Sequence, residues 1–151
     1  MTVSPNFSDF QKEDEAGRNQ VVFSKLTSDL ETPVSIMLKL AGAKKNSFIL
    51  ESVTGGETRG RYSIIGMEPD LIWKCEGNHS FHSSGKNEFT NIKGNPLTVF
   101  RNILKQSKIN LPDDLPQASA GLFGYFGYDM VRHVEDLPNI NPDKIGLPDA
   151  I

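Results

Sequence analysis

The chain has 151 residues, a formal net charge of −3 and one cysteine, Cys75. Its length allows a buried core, its scattered basic residues exclude a nucleic-acid surface, and its apolar runs are shorter than the ~18 residues that span a bilayer. A single cysteine cannot form an internal disulfide, and no secretion signal is visible, so we expect a cytoplasmic protein.

The first predicted elements are a short helix and a strand. Ser8 followed by Gln11 three positions later forms a capping-box pattern, and Gly17 supplies a helix stop after DFQKEDEA. Residues 20–26 (QVVFSKL) are then predicted to form a strand.

A second helix is predicted to begin at Thr32-Pro33, with threonine as the N-cap and proline at the first helical position. Gly42 should end it. Apolar residues at helical spacing should pack on the sheet: Val34, Met37, Leu38 and Ala41.

Residues 48–53 and 61–65 are predicted to form a β-hairpin, because both runs are apolar and the TGGETRG sequence between them favours a turn. The first run is expected to be a buried strand. Glu51, Ser52 and Arg61 place polar groups at the mouth of this hairpin, where burial would be costly without pairing.

Three further strands are predicted after the hairpin, at 71–76, 78–81 and 88–92. In the first, Leu71, Trp73 and Cys75 alternate with Lys74 and Glu76, which is typical of a half-exposed antiparallel strand.

Asn95-Pro96 repeats the helix-start signal, and the predicted helix carries an apolar stripe: Leu97, Phe100, Ile103 and Leu104.

The run ASAGLFGYFGY (118–128) contains Gly121, Gly124 and Gly127, and glycines in an apolar strand indicate close approach of a neighbouring backbone. This spacing does not match a phosphate-binding loop. Asp129 is predicted to cap a short helix over 130–137. The last residues are loop-like, and we expect that the chain was cut from something longer near the start of another strand.

Strands and isolated helices without regular βαβ alternation predict an α+β fold with a mainly antiparallel sheet. No catalytic motif stands out. His79 and His82 would point to opposite faces of a strand, which is poor geometry for one metal ion, and His133 is distant in sequence. Cys75 is interpreted as a small hydrophobic residue.

The polar residues of the hairpin allow two interpretations. A carboxylate suits an ammonium group, a guanidinium suits a carboxylate and a hydroxyl can serve either, so Glu51, Ser52 and Arg61 could hold a zwitterionic amino acid. Alternatively, Glu51 and Arg61 pair across the hairpin and Ser52 bonds the turn backbone. The residues alone leave both open.

The ordered blocks ETPVS, LKLAG, FILESV, RGRYSIIG, DLIWKC and AGLFGYFGYDMVRHVEDLP resemble the N-terminal region of anthranilate synthase component I, a chorismate-utilising enzyme. The resemblance runs from about Val21 to the end. It implies that residues 1–151 form an N-terminal regulatory region and that Leu50, Glu51, Ser52 and Arg61 bind tryptophan as a feedback inhibitor.

The resemblance also implies properties of the whole protein. Its reaction would convert chorismate and an ammonia donor to anthranilate, with Mg²⁺ and a glutamine amidotransferase subunit (component II). The catalytic chorismate-binding domain would be absent from this chain, which is therefore expected to be inactive alone. Alternatives are aminodeoxychorismate synthase component I, and a scaffold that docks the amidotransferase without binding a ligand.

Overall fold

The computed structural model describes residues 2–51, 62–85, 88–138, 140 and 142–151. These residues form helices and antiparallel sheets, which confirms the predicted α+β class. The elements are α1 (Phe7–Glu15), α2 (Pro33–Leu40), β1 (Phe48–Leu50), β2 (Ile64–Gly66), β3 (Ile72–Glu76), β4 (His79–Ser83), β5 (Thr90–Ile92), α3 (Pro96–Gln106) and 3₁₀ turns at Gln117–Ser119 and Tyr128–His133.

The chain divides into two compact units. The larger unit contains Met1–Leu26, Trp73–His82 and Phe89–Ile151, and the smaller unit contains Thr27–Ile72 and Ser83–Glu88.

In the smaller unit, β1 and β2 form the predicted antiparallel hairpin, with Phe48 opposite Gly66 and Leu50 opposite Ile64. Gly66 leaves room for the phenyl ring of its partner, since a Cβ there would lie 2.2 Å from Phe48 Cε1. The expectation of a buried first strand is wrong, because Phe48 and Ile49 are only half-buried and Leu50 is 47% exposed. A two-stranded ribbon has too few neighbours to cover both of its faces.

Helix α2 begins as predicted, and it contacts β1. Thr32 Oγ1 accepts a hydrogen bond from the Ser35 backbone N–H at 3.1 Å, and Ser35 Oγ accepts one from the Thr32 N–H at 2.9 Å. The predicted packing of the whole apolar stripe is wrong: Ala41 is buried, but Val34 is 55% and Leu38 68% exposed. An eight-residue helix beside a narrow ribbon presents more apolar surface than the ribbon can cover.

In the larger unit, α1 confirms the first predicted helix but corrects its cap. The Asn6 side chain, not Ser8, is the N-cap, and its Oδ1 accepts a hydrogen bond from the Asp9 N–H at 3.0 Å. Gly17 follows the helix with a φ of +64°. The predicted strand over 20–26 is wrong, because this segment forms only an isolated bridge between Phe23 and Ser4 within the described residues.

The second sheet has the strand order β3–β4–β5, and segment 149–151 extends it beyond β3. The Cys75 N–H donates to the Ala150 carbonyl at 2.9 Å, and the Tyr125 N–H donates to the Ile151 carbonyl at 2.9 Å. Segment 149–151 therefore lies between β3 and segment 125–127. The close approach predicted for the glycine-rich run is confirmed at Gly124 and Gly127.

The core of the larger unit forms where α3 and the glycine-rich run cover the inward face of β3. The rings of Trp73, Phe100 and Phe126 contact one another, with centroids 5.0 Å apart for two of the pairs and 6.4 Å for the third. The inward placement of Trp73 and Cys75 is confirmed. On the other face, Lys74 lies over the Phe81 and Phe89 rings.

Two details of this core differ from the sequence analysis. Helix α3 begins at Asn95-Pro96 as predicted, but it buries Val99 and leaves Leu104 46% exposed. The short helix after the glycine-rich run is a 3₁₀ helix whose N-cap is Gly127. Asp129 lies inside this helix and is not its cap, and its carboxylate accepts a hydrogen bond from Arg132 Nε at 2.7 Å.

Candidate functional site

The candidate site lies at the end of β1, where the hairpin leads into residues 52–61. Leu50 is the last residue of β1 and Glu51 follows it. Both are exposed, and Leu50 is held opposite Ile64 by the antiparallel register. Ser52 and Arg61 lie outside the described residues. The prediction that all four residues form one site therefore stays a prediction.

Leu50 and Glu51 supply an exposed apolar side chain and an exposed carboxylate at consecutive positions of the chain. Within the part of the chain that the structure describes, Glu51 makes no ion pair or hydrogen bond. An unpaired carboxylate can accept a hydrogen bond from an ammonium group, and an exposed leucine can pack against a hydrophobic group. These two residues thus supply partners for the ammonium group and the side chain of an apolar amino acid, but none for its carboxylate.

Two other carboxylates of the smaller unit are paired with lysines, whereas Glu51 has no such partner among the described residues. Lys44 Nζ donates to Glu68 Oε1 at 2.7 Å, and this bond holds the pKa of Glu68 below its usual value. Glu31 accepts hydrogen bonds from Lys39 and from the Ser35 hydroxyl, which lower its pKa in the same way. Surface pairs of this kind add little stability, but they occupy the carboxylate oxygens.

The remaining candidates lie in the larger unit. Cys75 is fully buried, and this burial, with Asp149 and Glu76 nearby, raises the pKa of its thiol to about 11. The thiol donates to the Gly77 carbonyl at 3.3 Å and lies 3.6 Å from His133 Nε2. A buried, protonated thiol is a poor nucleophile, so the interpretation of Cys75 as a small hydrophobic residue holds.

The contact between Cys75 and His133 was not predicted, because 58 positions separate the two residues and no local pattern links them. His79 and His82 both lie on β4. Among the described residues, no three His, Cys, Asp or Glu side chains are close enough together to hold a metal ion. None of the helices in the same residues could span a membrane.

No protein-family model matches the chain. Individual proteins do. The chain is 53% identical over 150 residues to anthranilate synthase component 1 of Cereibacter sphaeroides, an alignment covering 97% of this chain and 30% of that protein. It is 39% identical over 130 residues to the protein of that name from Acetivibrio thermocellus, covering 85% of this chain and 26% of the relative.

A third relative, anthranilate synthase component 1 of a Synechocystis species, is 35% identical over 151 residues, covering 99% of this chain and 30% of the relative. The chain thus spans about 30% of the length of two of these relatives and 26% of the third. The matched part is their N-terminal region. The resemblance to this family is confirmed, and the chain belongs with the N-terminal region of the anthranilate synthase component 1 family.

Proposed function

We propose that residues 1–151 are the regulatory region of an enzyme that makes anthranilate from chorismate and an ammonia donor in tryptophan biosynthesis. The relatives are named for anthranilate synthesis, which favours this branch over aminodeoxychorismate synthase component I. The role of the region would be to bind tryptophan and thereby inhibit the catalytic part of the protein.

The observation that supports this role most directly is the state of Glu51. Its carboxylate is exposed and makes no bond within the described residues, and the exposed Leu50 lies beside it. In our proposal the tryptophan ammonium group bonds Glu51 and the Ser52 hydroxyl, the indole ring packs on Leu50, and the tryptophan carboxylate bonds Arg61. Charge-assisted bonds of this kind fix the orientation of a zwitterion.

Inhibition would follow from differential binding. Tryptophan can shift the enzyme toward an inactive arrangement only to the extent that it binds that arrangement more tightly. Coupling free energies between two sites are typically ~1–3 kcal/mol, which corresponds to a change of roughly 5- to 150-fold in affinity. A site of modest size at one hairpin can supply this coupling.

The catalytic chemistry is proposed to lie outside residues 1–151. In anthranilate synthesis Mg²⁺ would neutralise the charge of chorismate, but the carboxylates and histidines described in this chain do not converge on a cation site. The chain alone is proposed to be inactive, to act with its own C-terminal catalytic domain, and to assemble with a glutamine amidotransferase subunit.

The decisive experiment replaces Ser52 by arginine in the full-length enzyme. The arginine side chain would fill the space beside Glu51 and place a cation where the tryptophan ammonium group belongs. We expect Ser52→Arg to keep anthranilate-forming activity and to lose inhibition by tryptophan. Ser28→Arg introduces the same side chain at an exposed serine elsewhere in the smaller unit, and this control should be inhibited normally.

Normal inhibition of Ser52→Arg would overturn the site assignment. A ligand-free structure in which Glu51 and Arg61 bond each other, with no space beside Ser52, would do the same. Calorimetry of the full-length enzyme with tryptophan should show binding that is lost in Ser52→Arg and retained in Ser28→Arg.

The scaffold alternative is favoured by one observation, the exposed apolar side chains of the larger unit. Tyr128 and Val134 are 83% and 76% exposed, and exposed apolar surface of this kind marks interaction sites. This surface fits a role in covering another domain or docking the amidotransferase. If the full-length enzyme binds no tryptophan, the scaffold role alone remains.

A further inference from the structure

We draw no further inference here: the strongest candidate, the open polar cleft of about 460 Å³ lined by residues 17–21 and by Lys108, Asn110 and Pro112, carries nothing because Glu13 already neutralises its Arg18 and because Gln20 Oε1, a buried acceptor with no hydrogen-bond donor among the described residues, is closed off from solvent.

Discussion

Gly124 lies directly against the carbonyl group of Ile151, so closely that a Cβ on Gly124 would come within 1.9 Å of that oxygen. The same oxygen accepts a hydrogen bond from the Tyr125 N–H at 2.9 Å. The backbone of segment 125–127 can therefore pair with segment 149–151 only if residue 124 has no side chain. At Gly127 the corresponding distance, to the Asp149 carbonyl oxygen, is 3.0 Å.

These distances predict a graded effect of alanine at the two glycines. Gly124→Ala should lower the free energy of unfolding by about 3 kcal/mol or more, because backbone atoms must separate, whereas Gly127→Ala should cost about 1 kcal/mol. Trp73, the only tryptophan, contacts Phe126 and reports this region by fluorescence during urea unfolding. Equal loss of stability in the two variants would contradict the close approach at Gly124.

The assignment of the α1 cap gives a second prediction. Because the Asn6 side chain accepts the Asp9 N–H, Asn6→Ala should destabilise α1 by about 1 kcal/mol, and amide hydrogens in its first turns should exchange about five times faster. Ser8→Ala is the matched control and should change exchange little, since Ser8 lies within the helix. A larger effect of Ser8→Ala would restore the cap predicted from sequence.

Cys75 predicts a loss of stability at alkaline pH. Burial raises its pKa from 9.0 to about 11, so the folded chain retains the thiol proton at pH values where the unfolded chain has released it. The contribution of the neutral thiol is complete below pH 9.0 and declines as the pH rises toward about 11.

The test of this prediction compares the wild-type chain with Cys75→Ala by urea unfolding at several pH values above 8. Tyrosine and lysine titrate in both proteins, so only the difference in their slopes reports Cys75. The difference in unfolding free energy between the wild type and Cys75→Ala should shrink as the pH rises. Parallel curves would show that the thiol has the same pKa in the folded and unfolded chains.

The exposed apolar side chains of the larger unit predict self-association of the isolated 151-residue chain. Tyr128 and Val134 are mostly exposed in the larger unit, so contacts between copies would bury apolar area at little cost. Light scattering should show a mass that rises with concentration. Tyr128→Ser with Val134→Ser should reduce this rise, and Leu30→Ser, at an exposed leucine of the smaller unit, should leave it unchanged. A monomer at high concentration would contradict the prediction.

Several local features followed from the sequence because neighbouring residues decide them. Thr32-Pro33 and Asn95-Pro96 start helices as predicted, because the cap hydrogen bond and the fixed proline φ involve only residues within one turn. The alternation of Trp73 and Cys75 with Lys74 and Glu76 likewise predicted which face of β3 is buried. Patterns that require a distant partner were less reliable, as the missing strand over 20–26 shows.

The sequence by itself determined the family, the α+β class, the helix starts at Thr32-Pro33 and Asn95-Pro96, and the hairpin that leads to Glu51. Tertiary structure alone decided that segment 149–151 separates β3 from segment 125–127, that Cys75 meets His133, and that Leu38 and Leu50 remain exposed. The physical reason is range: caps, turns and strand alternation depend on residues a few positions apart. Burial and strand order depend on which distant segments supply the surface that covers them.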